Sequence, residues 1–366
     1  MSDKGPMLKA LVLSGGTGTR MRPLTGTIPK QLIPVANKPI IHYVMEQIAS
    51  LGINDVGVII SPETGQAVKE SLADGGRWNL NISYIVQDKP AGLAHAVLTA
   101  RDYLGESSFL MYLGDNLISH SLGDMLDSFL RGGDDSVVLV KKVRDPGRFG
   151  VAVVNDNFKI LRLVEKPERF VSSFALVGLY LFNKSIHKAI EEITPSARGE
   201  LEITDAIQRL LEKGGNVSCS LVRGWWFDTG RKEDLLKANR VLLDERSERK
   251  VEGVIISGDS RVEGRVQIGQ GSSIAGSVVI GPAVLGEGVE VINSYIGPFS
   301  SIGNNCLLNG VRLENTIVLN HSSLTDKLYI TESLIGRHCH ITGGAATVDM
   351  VRVNLGDWAE VRLSWV

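Results

Sequence analysis

At 366 residues the chain is too long for one ordinary domain and suits two, and a hydrophobic content of 43% lets each half bury a core. Its 39 basic and 41 acidic residues leave a net charge of -2, which gives no electrostatic footprint for nucleic acid or an anionic membrane. Any phosphate site must therefore be local.

The first apolar run, 8–13, is too short to span a bilayer or to serve as a signal-peptide core. It stops at Ser14-Gly15-Gly16, which is turn chemistry. Cys219, Cys306 and Cys339 are far apart and odd in number, so a disulfide framework is excluded and a reducing compartment is expected. The reading is of a soluble, cytoplasmic protein without a membrane partner. Strands are predicted at 10–13, 56–60, 82–86, 109–113, 137–140, 176–182 and 217–221, with helical spacing over 40–51, 91–104 and 203–211. Buried runs separated by helices predict a Rossmann-like α/β domain with a mostly parallel mixed sheet, whose ligands collect at the carboxyl ends of the strands.

A charged helical connector over 231–250 leads to a change of character. Ile256, Val262, Ile268, Ile274 and Ile280 fall at six-residue intervals; Ile296, Ile302 and Leu308 resume the beat, and Ile335 and Ile341 touch it again. One inward aliphatic residue per hexad is the mark of a parallel β-helix, whose coils share one core. The beat breaks after Ile280 and after Leu308, which predicts irregular coils. The expected division is a catalytic domain over 1–247 and a left-handed parallel β-helix of hexapeptide repeats over 248–366.

Immediately after the first strand come Gly15-Gly16-Thr17-Gly18-Thr19-Arg20, then Pro23-Leu24-Thr25 and Pro29-Lys30. Glycines at a strand end let backbone N–H groups cradle phosphate oxygens. A dinucleotide fingerprint is excluded because Met21 stands where its third Gly belongs. A Walker loop is excluded because Gly18 is followed by Thr19-Arg20 instead of Lys-Ser/Thr. Arg20 offers a planar fork and Lys30 a mobile point charge for phosphates. Asp115 and Asp228 each follow an apolar run and meet a turn, so each is a candidate metal ligand or, alternatively, a turn-capping residue.

With these spacings the chain resembles the nucleotidyltransferases that make nucleotide sugars, whose signature is GGxGTR, a Pro-x-Thr and a Lys ten residues after the Arg. The resemblance continues through Gln87 with Gly92, Leu113-Gly114-Asp115-Asn116, Phe149-Gly150-Val151, Glu165-Lys166-Pro167, Arg198-Gly199-Glu200-Leu201-Glu202-Ile203-Thr204-Asp205 and Trp226-Phe227-Asp228-Thr229-Gly230. Within the family it is similar to long-form glucose-1-phosphate thymidylyltransferases with a C-terminal left-handed β-helix. The resemblance implies transfer of a nucleoside monophosphate from an NTP, dTTP before UTP, to a sugar 1-phosphate, glucose 1-phosphate before others. It implies Arg20 and Lys30 as catalytic cations. Leu13, Gly15, Gly16, Gln87, Gly92 and Asp115 would contact the nucleotide, and Asp115 with Asp228 would hold Mg²⁺. Gly150, Glu165, Lys166, Gly178 and Arg198 would contact the sugar phosphate. Val177 departs from the Thr found beside the sugar in short-form enzymes. Side-by-side packing of such β-helices implies a homo-oligomer, a trimer in preference to other copy numbers.

Other features carry less. His338-Cys339-His340 resembles a metal cluster, but strand geometry turns residue 339 away from 338 and 340. His95 reads as structural or solvated in preference to catalytic, and Trp225-Trp226, which could stack a base, as buried beside a strand in preference to that. Acyl transfer, which hexapeptide β-helices often host, would need a base such as His321, without a matching motif around it. A non-catalytic scaffold is disfavoured, because Arg20, Lys30, Asp115 and Asp228 are all retained.

Overall fold

The computed structural model describes residues 8–16, 18, 21–119, 121–156, 158–344 and 350–363. The chain packs as two compact units, Met1–Gly16 with Ile41–Asp228, and Thr17–Ile40 with Thr229–Val366.

The first unit is built on a nine-stranded mixed sheet. Its strands are β1 (Lys9–Leu13), β2 (Asp55–Ile60), β3 (Asn81–Val86) and β4 (Phe109–Leu113). A short β5 (Asn116–Ile118) lies outside it, and then come β6 (Ser136–Lys142), β7 (Val151–Val154) and β8 (Ile160–Val164). β9 (Phe174–Phe182) and β10 (Val217–Leu221) complete it, and β11 (Trp226–Asp228) pairs antiparallel with β5. The main path runs β8-β7-β9-β4-β1-β2-β3, with β6 joining β9 to β10. β4, β1, β2 and β3 are parallel, whereas β9 runs antiparallel to β4, β6 and β7. All seven strands expected from sequence are present.

β1 is apolar and buried over Ala10–Leu13, as a central strand covered on both faces must be. Helices α1 (Ile40–Ser50), α2 (Gly65–Leu72), α3 (Leu93–Thr99), α4 (Arg101–Leu104), α5 (Gly123–Gly132), α6 (Ser185–Ile190) and α7 (Ile203–Glu212) accompany the strands. In α7, Ile203, Ala206, Ile207 and Leu210 form the buried stripe that an amphipathic helix presents to a sheet. The single helix expected over 91–104 is interrupted at Ala100, and α2 and α5 lie in stretches without an obvious helical beat.

In the second unit α8 (Lys232–Arg246) precedes a parallel β-helix. Three inward columns run up it in register. One holds Ile274, Val291, Leu308, Leu324 and Ile341, with the exposed Ile256 in register at the first coil and the half-buried Val361 at the last. The second holds Val262, Val279, Ile296, Leu313 and Ile330. The third holds Ile268, Leu285, Ile302, Val318, Ile335 and Leu355. Each fully buried aliphatic residue contributes about 1.5–3 kcal/mol, so the columns are the main stabilising element.

These columns correct one detail of the hexad reading. Ile280 stands beside the core column, and Val279 occupies it, aligned with Val262. Val279 lies 17 residues after Val262, as Ile296 does after Val279 and Ile302 after Leu285. Coils one residue short of three full hexads explain why the six-residue beat slips. At the corners, buried hydroxyls complete the backbone. Ser272, Ser277, Ser294, Ser322 and Ser333 accept the N–H groups of Val289, Ser294, Val311, Cys339 and Val353, each in the following coil. No helix among the described residues is long and apolar enough to cross a membrane.

Candidate active site

The loops at the carboxyl ends of β1, β2, β3 and β4 are tied side by side. Ser14 N–H donates to Ile59, Gln87 N–H to Ile60 and Gly114 N–H to Leu13, all at 2.9 Å. This places Leu13, Gly15, Gln87 and Asp115 along one edge of the sheet, where ligands collect in open α/β folds. A Cβ on Gly15 would stand 3.3 Å from Gln87 Oε1, so the glycine allows the two loops to approach closely. Nothing lies within 4 Å of the corresponding point on Gly16.

Gln87 is nearly buried, and its Nε2 donates to His95 Nδ1 at 2.8 Å and faces the Gly92 carbonyl at 3.4 Å. His95, read from sequence as structural, thus orients a candidate base-reading side chain from α3. Gly92 has φ 104°, and a Cβ there would fall 2.4 Å from the Leu201 carbonyl oxygen. Only glycine meets both conditions. Leu201 N–H donates to the Ala91 carbonyl at 2.8 Å, which seats the Arg198–Asp205 stretch against the Gly92 loop.

Asp115 and Asp228, distant in sequence, are brought together by the β5–β11 pairing. Asp228 stands opposite Asn116, the residue after Asp115. Asn116 Nδ2 donates to Asp115 Oδ1 at 2.9 Å, and its Oδ1 accepts the Trp226 indole N–H at 2.5 Å. The Trp226 ring packs on Phe149 with centroids 4.9 Å apart. Trp226 is therefore half-buried and hydrogen-bonded, where sequence had suggested simple burial. Among the described residues no group of three or more His, Cys, Asp and Glu gathers to hold a metal. Two carboxylates without imidazole or thiolate are an oxygen donor set. That set suits a hard divalent cation whose remaining ligands come from substrate phosphates and water.

Gly150, Glu165, Lys166 and Gly178 lie on the antiparallel part of the sheet. Glu165 Oε2 accepts the Thr204 hydroxyl at 3.0 Å, and Oε1 accepts Arg198 at 3.0 Å. Lys166 Nζ is 3.4 Å from Glu165 Oε1, and its backbone is held at φ 39° with its N–H on the Phe149 carbonyl. A Cβ on Gly150 would lie 3.1 Å from Glu165 Oε2. Gly178, at φ 76°, marks the irregularity in the β9–β6 register, where a Cβ would strike Leu113 Cδ1 at 2.5 Å. Val177, before it, is fully buried. Arg198 also faces Glu202 at 2.7 Å and Glu200 at 3.5 Å, so its guanidinium is already engaged by three carboxylates. The Asp205 carboxyl is pushed up by burial and by Glu202 and Glu165 nearby.

Arg20 lies outside the described residues. Lys30 belongs to the second unit, in a one-turn 3₁₀ helix (Lys30–Leu32), and is almost fully buried. Its Cβ is 3.3 Å from the position of a Cβ on Gly18, whose carbonyl accepts the Thr25 hydroxyl at 2.8 Å. The following turn is anchored on the same unit. Asn239 Oδ1 accepts the Ala36 N–H at 2.8 Å, and Asn37 Nδ2 donates to the Ile302 carbonyl at 2.6 Å. On the β-helix, His321 stacks on His338 and His338 on Trp358, with centroids 4.9 and 4.0 Å apart, while Cys339 is buried in the core.

A sheet edge carrying glycine turns, with Asp228 paired across from the neighbour of Asp115 and a separate carboxylate–lysine pair, fits a nucleotide-handling α/β transferase. Residues 9–245 match the nucleotidyl transferase family, and the chain belongs to it. Along its length it is similar to a glucose-1-phosphate thymidylyltransferase of Streptomyces griseus, 44% identical over 98% of this chain and 100% of the relative. The similarity therefore includes the C-terminal β-helix region of this long form. Among solved structures it is similar to a Bacillus anthracis protein assigned as a glucose-1-phosphate thymidylyltransferase, in complex with sucrose. That match has a TM-score of 0.62 and 34% identity, over 66% of this chain and 98% of the other. A UDP-glucose pyrophosphorylase complexed with UDP-glucose matches with a TM-score of 0.59 and 26% identity, over 66% of this chain and all of that one.

Proposed function

We propose that the chain transfers the nucleoside monophosphate of an NTP, dTTP in preference, to a sugar 1-phosphate, glucose 1-phosphate in preference, with release of pyrophosphate. The observation that carries this reading is the register that sets Asp228 opposite Asn116, beside Asp115, on the edge that also holds Gly15 and Gln87.

The reaction joins two anions, so repulsion is the first obstacle and alignment the second. Gln87, steadied by His95, and the Gly92 backbone read the base. The Gly15 and Gly16 backbone lies along the triphosphate, and Arg20 and Lys30 are its cationic partners. Glu165 accepts sugar hydroxyls, Gly150 and Gly178 keep that pocket open, and Lys166 holds the sugar's phosphate. An oxygen of that phosphate attacks the α-phosphorus in line, forming the new P–O bond as the bond to pyrophosphate breaks. Asp115 and Asp228 would hold Mg²⁺, which supplies charge neutralisation at the α-phosphate. Arg198, occupied by three acids, orients Glu165 more directly than it serves the phosphate.

Support for dTTP and glucose 1-phosphate comes from the Streptomyces griseus relative. The UDP-glucose-bound neighbour keeps UTP as the second reading, because one methyl distinguishes the bases and is worth only about 1–3 kcal/mol. Pyrophosphate release across a matrix of NTPs and sugar 1-phosphates tests the proposal. The highest kcat/KM is expected for dTTP with glucose 1-phosphate, and a chain that releases pyrophosphate with no pair would overturn it.

A further inference from the structure

A cavity of about 360 Å³ lies within the second unit, between one face of α8 and the corners of the later β-helix coils. Lys232, Lys237 and Arg240 line it from the helix, and Arg352, Asn315 and Glu332 from the coils. Charge is unbalanced there. Four cations meet two carboxylates, Glu233 and Glu332, in a chain whose net charge is -2.

Only part of that positive charge is neutralised. Arg352 pairs with Glu332 at 2.9 Å, and Lys232 points its ammonium at the Val353 carbonyl at 3.4 Å. Arg240 lies over the Phe299 ring, with its guanidinium carbon 5.2 Å from the centroid. Asn315 Oδ1 is shielded from solvent and has no hydrogen-bond donor among the described residues. A buried acceptor of this kind costs stability until a donor reaches it. Asn315 is also held in the left-handed region at φ 46°, a conformation that Asn tolerates better than most residues.

We propose that this cavity is an anion site for a small phosphate ester that also bears hydroxyl groups. Arg240, Lys237, Lys232 and Arg352 take the phosphate, and a hydroxyl donates to Asn315 Oδ1. Arginine and lysine from two elements converging on one space is the arrangement that phosphate recognition requires. The site is also wired to the signature segment. Asn239, next to Arg240 in α8, is fully buried; it accepts the Ala36 N–H at 2.8 Å and the Ser301 hydroxyl at 2.7 Å, and donates to the Phe299 carbonyl at 2.9 Å. A ligand drawing on Arg240 therefore acts on Phe299 and Asn239, and through them on the turn that follows Lys30. The site is an effector site, and only its kinetic consequence rests on the proposed reaction.

The test uses the full chain and two probes, inorganic phosphate and glucose 6-phosphate, which lacks the anomeric phosphate needed as a substrate. Calorimetric titration should show saturable binding of both, with glucose 6-phosphate tighter because its sugar hydroxyls can reach Asn315 while its phosphate stays on the cations. Arg240→Ala should weaken both by about tenfold or more. Lys237→Gln, at an exposed position that leaves packing intact, should weaken both and flatten the salt dependence. Asn315→Gly, which removes the acceptor without adding charge and tolerates the positive φ, should selectively weaken glucose 6-phosphate. Absence of saturable binding to the wild type overturns the proposal, as does binding that survives Arg240→Ala and Lys237→Gln. Binding abolished by saturating NTP and glucose 1-phosphate also overturns it, by assigning the probes to the active site. Failure of pyrophosphate release with intact binding would instead count against the proposed reaction.

Discussion

The two units use parallel strands in opposite ways. In the first, β1, β2, β3 and β4 all end at one edge, so four loops converge and polar side chains are presented together. In the second, successive strands stack in register up the coils, and what converges is the three aliphatic columns. A strand that ends beside its neighbours concentrates chemistry at its tip, whereas a strand stacked coil on coil spends its side chains on a core. Reactive groups should therefore be dispensable for folding in the first unit, and the buried aliphatic columns dispensable for chemistry in the second.

The largest expected effect attacks that division directly. Asp115→Asn or Asp228→Asn should lower kcat by roughly a hundred- to a thousand-fold, with the unfolding midpoint little changed. Steady-state pyrophosphate release at several Mg²⁺ concentrations reads this out. Near-normal rates in both variants would reduce the pair to turn caps. Conversely, Leu308→Ala, in the column between Val291 and Leu324, should cost about 2–5 kcal/mol of stability in denaturant unfolding. By contrast Arg312→Ala, an outward residue of the same long strand lying between the Tyr295 and Tyr329 rings, should cost only about 0.5–1 kcal/mol. Equal losses at Leu308 and Arg312 would contradict the columnar core.

Gly92→Ala sharpens the comparison at the border between folding and chemistry. The strained backbone and the Leu201 carbonyl should together cost about 1–3 kcal/mol and raise the NTP KM more than the sugar-phosphate KM. Separate KM values for the two substrates check it.

How much of this was legible in sequence follows the range of the interaction. Runs such as 10–13 and 109–113 are local and apolar, so the parallel strands of the first unit could be read directly. β7 is only four residues long, and in β8 the adjacent exposed Leu161 and Arg162 break the alternation of a half-buried strand, so neither could be read. Asp115 and Asp228 could each be placed at the end of a strand, but their proximity depends on pairing Trp226 with Ile118 across more than a hundred residues. No local signal encodes that register. The grouping of 17–40 with the β-helix unit was invisible for the same reason, since it depends on Asn239, Ile302 and Asp357 receiving Ala36, Asn37 and Thr27. The hexad beat was legible until coils of 17 residues displaced it, as Ile280 and Val279 illustrate.

The smallest expected effect is a pH dependence. His187 is buried in the first unit, with no hydrogen-bond partner for either ring nitrogen among the described residues, and burial, with Arg101 nearby, holds its pKa below the ordinary value. The neutral ring is thus favoured by folding. Its stabilising contribution is complete above the unfolded value of about 6.5 and is lost as pH falls through the lower folded value. His187→Phe, beside the stacked Phe109 ring, should remove that part of the acid-side loss. Melting curves between pH 7 and pH 5 for the two proteins measure the difference.

The corner serines have a consequence for how this protein can change length. Each hydroxyl serves the N–H one coil ahead, as Ser277 serves Ser294 and Ser294 serves Val311. Where the receiving residue is itself a serine, as Ser294 is, the coil leaves behind the same socket that it filled. Duplicating or excising one whole turn at such a place preserves these contacts, while a change of a few residues orphans a buried amide. Descendants of such a chain can grow or shrink in steps of a full coil, at little thermodynamic risk.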